Sequence, residues 1–443
     1  MGRLVVGAAD RSFSPVRRYR RLAAVAICCA GGLVASACSG GGTTPAGQHG
    51  ASPAATGLQV SITPANGSGS VAPNQGITVT AAQGKLSKVT VTTSGDPVGG
   101  TMNAAGNVWH STWALDVSQS YTVTATATGT SAAGTSGQKV TRTSAFKTLT
   151  PSQTFTTEIY EAAGQTYGVG MPIILYFNRQ ITNKAAVERA LQISTSKPVV
   201  GSWYWDDPCN MAVTCAYFRP ESYWQPGTTV SFTGHLNGVE GAPGVYGYHT
   251  LTQSFNIGAS LIVVASTVTH YMKLYQNGQL IDTWPISTGR PGDNTPNGTY
   301  LTIDKGNPVD MVGPGYNLEV PWSVRFTWSG DYLHDAYWSV GEQGFTNVSH
   351  GCVNMPPADA EIYYKMEVPG DPVTVTGSPK AGTWDNGWTM WFLPWSKYLQ
   401  GSATGDAVEA GPTGSTFVSP SAVPASTATA PLGTADPSNW TAS

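Results

Sequence analysis

Charge is scarce in this sequence. Only 11% of its 443 residues are Asp, Glu, Lys or Arg, and the formal net charge is −3. No basic surplus points to nucleic acid, and none is expected as a partner. Long apolar runs are also missing beyond the N-terminal segment. "LIVVA", Leu261 to Ala265, is a buried strand at most. No CxxC, HExxH or Gly-rich phosphate loop occurs, so dithiol redox, zinc-protease and nucleotide chemistry have no carrier. His110, His235 and His249 stand away from Cys, Asp or Glu at ligand spacing and read as surface or core histidines. No metal or organic cofactor is expected.

What remains is rich in Gly, Ser, Thr and Ala, with apolar residues alternating with small polar ones. That is the period of half-buried strands, so the fold class is mainly β. Arg17, Arg18, Arg20 and Arg21 precede an apolar stretch from Leu22 to Ala37, which reads as a signal peptide over residues 1–38. "ASAC" resembles a bacterial lipobox, with Ala35 where that motif usually has Leu. Cys38 is then the lipidation site, and the chain is expected on the outer face of a bacterial cytoplasmic membrane, anchored by lipid and facing the wall.

Residues 39–56 have linker composition. Short alternating strands such as "KVTVTT" and "YTVTATAT" predict a small sandwich over 57–150. A second one is expected over 151–257, where "FRPESYWQPGTTV" has an immunoglobulin-like turn and strand and Asn183 is placed to cap a helix. The third unit spans 258–377. It carries an Asn277-Gly278 hairpin signal and a helix in "PPADAEIYYKM". A Trp-rich piece follows over 378–400, better suited to packing than to stacking on sugars. The tail over 401–443 is expected to be disordered.

Six cysteines are present. Cys28 and Cys29 leave with the signal peptide. Cys209 and Cys215 are close enough to form a disulfide in an oxidising compartment. Cys352 has no partner. It lies in "NVSHGCVNM", between strand structure and the helix. A thiol reacts as its thiolate and needs a base. His350 is two residues away and, on an extended turn, tends to point elsewhere. His334, eighteen residues upstream at the end of an apparent strand, can face the thiol from an adjacent strand. His334 is therefore the expected base and His350 a supporting group. The amides of Gly351 and Cys352 are candidate oxyanion donors.

"HDAYWSVGEQGFTNVSHGCVNM" closely resembles the signature of the YkuD-type L,D-transpeptidases, and "TPNGTY", Thr295 to Tyr300, resembles a strand motif of the same family. Two immunoglobulin-like sandwiches before the catalytic unit resemble the mycobacterial-type architecture. The resemblance implies Cys352 as nucleophile and His334 as general base, with Ser349, His350, Gly351 and Asn354 lining the site. Asp335 stands where relatives carry a small residue. It can orient His334 through its carbonyl, and its carboxylate could raise the basicity of the ring. "DKGNPVDMVGPGYNLEVPW" looks like the family's lid. Met311, Tyr316 and Trp338 are expected as acyl-pocket walls, and Ser329 and Gly330 as peptide contacts. The implied substrates are peptidoglycan stem peptides joined between third residues through a thioester, and carbapenem-type β-lactams are the implied inhibitors. Water as acceptor would make a carboxypeptidase and a protein amine a stem-to-protein transferase. A wall-binding protein that has lost activity is the alternative from another class.

Overall fold

The computed structural model describes residues 57–422, except 208, 210, 211, 314 and 315. The expected signal peptide, Cys38 and the linker lie outside the described residues.

Alternation builds the first sandwich. Strand Ser120–Gly129 turns Tyr121, Val123, Ala125 and Ala127 inward while its threonines face out. It is the centre of a three-stranded sheet with Gly84–Thr92 and Lys139–Lys147. Across the outer face, Thr124 pairs with Thr143 and Thr126 with Thr141 through their hydroxyls. The opposing sheet orders Gln59–Thr63, Thr78–Ala82, Val108–Ser111 and Gly100–Met102. Ile77, Val79 and Phe146 close the core between them.

The second sandwich has an aromatic core of Trp203, Phe218, Trp224, Phe232 and Phe255. Its larger sheet has six strands, two of them from the far end of the chain. Ala407–Gly411 pairs with Val199–Gly201 and continues through a hairpin into Gly414–Val418. This corrects the expectation of a disordered tail for residues 401–422; residues 423–443 lie outside the described residues. The Gly-rich composition conceals two five-residue strands, and the exposed edge of Val199–Asp206 gives them a partner. Ala407, Val408 and Ala410 are buried there. Asn183 sits at the start of helix Lys184–Arg189, but its side chain does not cap it; the amide donates to the Glu240 carbonyl oxygen instead. A disulfide joins Cys209 and Cys215.

The third unit pairs a five-stranded sheet, centred on Leu261–Ser266, with a four-stranded sheet in the order Lys305–Gly306, Ser323–Arg325, Tyr332–Asp335, Val353–Met355. Asn277 and Gly278 both take positive φ, as a tight hairpin requires. Helix Pro357–Met366 follows the last strand and buries Ala360 and Tyr363 against Leu333, Val353 and Met355. The expected lid contains a separate hairpin, Val309–Gly313 with Tyr316–Val320.

The Trp-rich piece forms no long helix. Trp391 Nε1 donates to the Gly170 carbonyl, Trp384 Nε1 to Asp206, and Tyr398 Oη to the Tyr217 carbonyl. The buried Arg219 guanidinium lies 4.3 Å from the Trp391 ring centroid and 4.2 Å from that of Tyr398. Trp388 touches both Tyr160 of the second sandwich and Trp328 of the third unit. These tryptophans pack the two units together.

Candidate active site

Two short parallel strands make the site. His334 is in register with Asn354. Paired residues of neighbouring strands point to the same face, and so do residues two apart. Cys352 lies one residue before strand Val353–Met355, and its sulfur meets the amide of Tyr332, two residues before His334.

The histidine is held in one orientation. Its Nδ1 donates to the Asp335 carbonyl oxygen at 2.7 Å. A carbonyl can only accept, so Nδ1 carries the proton and Nε2 keeps its lone pair. The Trp338 ring stacks beside the imidazole, with centroids 5.9 Å apart. Burial lowers the pKa of His334 to about 4, opposed only by the carbonyl bond. The carboxylate of Asp335 does not enter: adjacent strand residues point to opposite faces, and the Tyr337 amide favours its ionised form while burial raises its pKa. The expected boost from this carboxylate is therefore absent, and the carbonyl alone orients the ring.

The sulfur has its own clasp. The Tyr332 amide donates to Sγ at 3.4 Å, and Sγ faces the Gly330 carbonyl at 3.8 Å. Burial pushes the thiol up to about 12, followed by the nearby charge of Asp331. Among the described residues no hydrogen bond joins His334 to Cys352. Both shifts favour the neutral thiol and the neutral imidazole. Ionisation has to accompany attack.

The turn before the cysteine is rigid. Ser349 Oγ donates to the Cys352 carbonyl at 2.6 Å and accepts from the Gly351 amide at 3.1 Å. Thr295 Oγ1 donates to the Gly351 carbonyl at 2.6 Å. The backbone of Ser349 pairs with Thr288 and Arg290, and that of Asn354 with Ser287. The Gly351 amide is thus committed to Ser349, which corrects its expected oxyanion role, and the Tyr332 amide is taken by the sulfur; the Cys352 amide remains from the expected pair. Ser349 fixes the turn. Asn354 donates to Ser339 Oγ at 3.0 Å. His350 is exposed at the rim.

Ser329 is engaged internally. Its Oγ donates to Asp331 at 3.0 Å, and Asn386 holds both its amide and its hydroxyl. Gly330 contributes its carbonyl to the clasp. Met311 is half-buried in the lid hairpin, paired with Leu318. The side chain of Tyr316 lies outside the described residues. Sequence reading passed over Asp331 and Tyr332, for which no motif gives a signal, and gave no task to Thr295, although it lies inside "TPNGTY".

Comparison with known proteins gives the family. Residues 260–375 match the L,D-transpeptidase catalytic domain family, and residues 68–240 match a bacterial Ig domain family. The chain is 33% identical over 341 residues to L,D-transpeptidase 2 of Mycobacterium tuberculosis, across 74% of this chain and 80% of that protein. It is 32% identical over 354 residues to L,D-transpeptidase 5 of the same species, across 78% and 77%. A solved L,D-transpeptidase in complex with imipenem shares 34% identity over 49% of this chain and 97% of its own, with a TM-score of 0.42.

Proposed function

The chain belongs to the L,D-transpeptidases of the YkuD type, and from that premise we propose that it joins the third residues of two peptidoglycan stem peptides through a thioester on Cys352. The observation that carries this reading is the parallel register of His334 with Asn354, two residues from the thiol, with Nδ1 already locked.

As Cys352 attacks the carbonyl of the third residue, His334 Nε2 takes the thiol proton and then gives it to the departing D-alanine amine. A neutral thiol activated only at attack avoids a buried anion in the resting enzyme. The Cys352 amide stabilises the oxyanion. A neighbouring stem's amine resolves the thioester; water in its place gives a carboxypeptidase. The lid hairpin, with Met311 and Tyr316, covers the donor, and Trp338, Gly330 and His350 border it. Imipenem, held by a relative, is an acyl donor for the same sulfur. The enzyme works outside the cytoplasmic membrane, tethered through lipidated Cys38; the Cys209–Cys215 disulfide supports an oxidising compartment.

Intact-mass measurement after incubation with imipenem tests the reading. One adduct is expected on the unsubstituted chain and none on Cys352→Ala. His334→Ala should slow acylation by about 10²–10⁴-fold. An equal adduct on Cys352→Ala, or an unchanged rate in His334→Ala, overturns it.

A further inference from the structure

A carboxylate buried beside the nucleophile works against the first chemical step. Asp331 is only 8% exposed. Its Oδ2 accepts from Thr327 Oγ1 at 2.7 Å and from Ser329 Oγ at 3.0 Å. Its Oδ1 accepts no hydrogen bond among the described residues and lies against the turn: a Cβ on Gly351 would be 2.4 Å from it. The negative charge opposes a thiolate at Cys352. A carboxylate oxygen that no donor of the chain is shown to hold finds its strongest partner in a cationic donor. None of the protein's own lysines or arginines supplies one, since no ion pair involves Asp331 among the described residues.

Acylation changes the balance. A thioester sulfur cannot ionise, so the like-charge conflict ends once the donor is bound covalently. The group that must enter next is a primary amine, an ammonium at neutral pH. We propose that Asp331 is the specificity-determining residue of the acceptor half-reaction, its free Oδ1 receiving the ammonium of the incoming diamino-acid side chain beside the Cys352 thioester. This rests on the transpeptidase reading above. The bound ammonium loses one proton by way of His334 Nε2 to bulk water, and the amine attacks the thioester carbonyl. The C–N bond forms, the C–S bond breaks, and the second nitrogen proton passes to the departing sulfur. Water gains nothing from the carboxylate, so Asp331 favours cross-linking over hydrolysis.

The test measures the ratio of cross-linked dimer to hydrolysed stem by mass spectrometry, using the full chain, a tetrapeptide donor and an amine-bearing acceptor stem. Asp331→Asn keeps the acceptor for Thr327 and Ser329 but removes the charge. It should lower that ratio roughly tenfold or more and raise KM for the acceptor, as loss of a charged hydrogen bond predicts, while imipenem acylation continues. Asp331→Glu should recover part of the ratio, which a purely structural role for the turn would not do. A second measurement needs no variant: an acceptor stem acetylated on its side-chain amine should fail to compete with the free amine. An unchanged ratio in acylating Asp331→Asn, or an acetylated stem that competes as well as the amine binds, overturns the role of Asp331. Failure of the unsubstituted chain to take up imipenem overturns the transpeptidase reading instead.

Discussion

At the scale of single residues, the resting protonation of the site departs most from what the motif alone suggests. A thiol and a histidine in a signature invite an ion pair. Here His334 is buried and Cys352 half-buried, and desolvation penalises each charged form: the imidazole pKa falls to about 4 and the thiol rises to about 12. The sign for activity follows. Neutral His334 is lost only as pH falls through its lowered pKa, so imipenem acylation should hold level from pH 7 down to about 5 and fall below it. Iodoacetamide alkylation of Cys352 should keep climbing past pH 9 without levelling near 7. A plateau of alkylation at neutral pH would mean a standing thiolate. For stability, the unfolded histidine binds its proton below about 6.5 and the folded one only near 4, so His334 contributes to acid destabilisation across that window.

At the scale of elements, the decisive piece is the turn between strands Tyr332–Asp335 and Val353–Met355. "SHGC" names its residues, and the order of tasks within it is set by hydrogen bonds. Ser349 closes the turn on itself, Thr295 grips it from a different segment, and Gly351 takes φ +133°. An L side chain at that φ is strained, and a Cβ there would meet Asp331. Gly351→Ala is therefore expected to slow acylation at least tenfold while the chain still folds, because most of the strain falls on the clasp around the sulfur. Circular dichroism and the imipenem adduct rate, measured together, check this; a normal rate would show that the turn can relax. Much of the turn was legible, since signature, spacing and hairpin signal are local. The commitment of the Gly351 amide was not, because it depends on the rotamer of a serine two residues back.

At the scale of the whole molecule, the second sandwich and the catalytic unit share contacts that no local pattern announces. Gly168 and Gly170 donate backbone hydrogen bonds to Pro369 and Gly370. Leu301 and Ile303 of the catalytic unit join the sandwich core. The tryptophans read as packing residues do pack, around an arginine that sequence reading left without comment. The last strands, Ala407–Gly411 and Gly414–Val418, cover a sheet edge that would otherwise offer unpaired amides and carbonyls. Ending the chain after Gln400 should lower the midpoint of thermal unfolding by several degrees and promote association on heating, with imipenem acylation retained at low temperature. An unchanged midpoint would mean that the edge needs no cover.

The sequence by itself determined the strand alternation and the Asn277-Gly278 hairpin, because each is written in nearest neighbours. Only the tertiary structure decided which amide remains for an oxyanion, that the neutral thiol and imidazole are favoured, that the tail supplies two strands, and that Asp331 stands beside the nucleophile. Those outcomes depend on burial and on contacts between residues far apart in the chain, and dielectric environment and long-range pairing leave no mark in a local pattern.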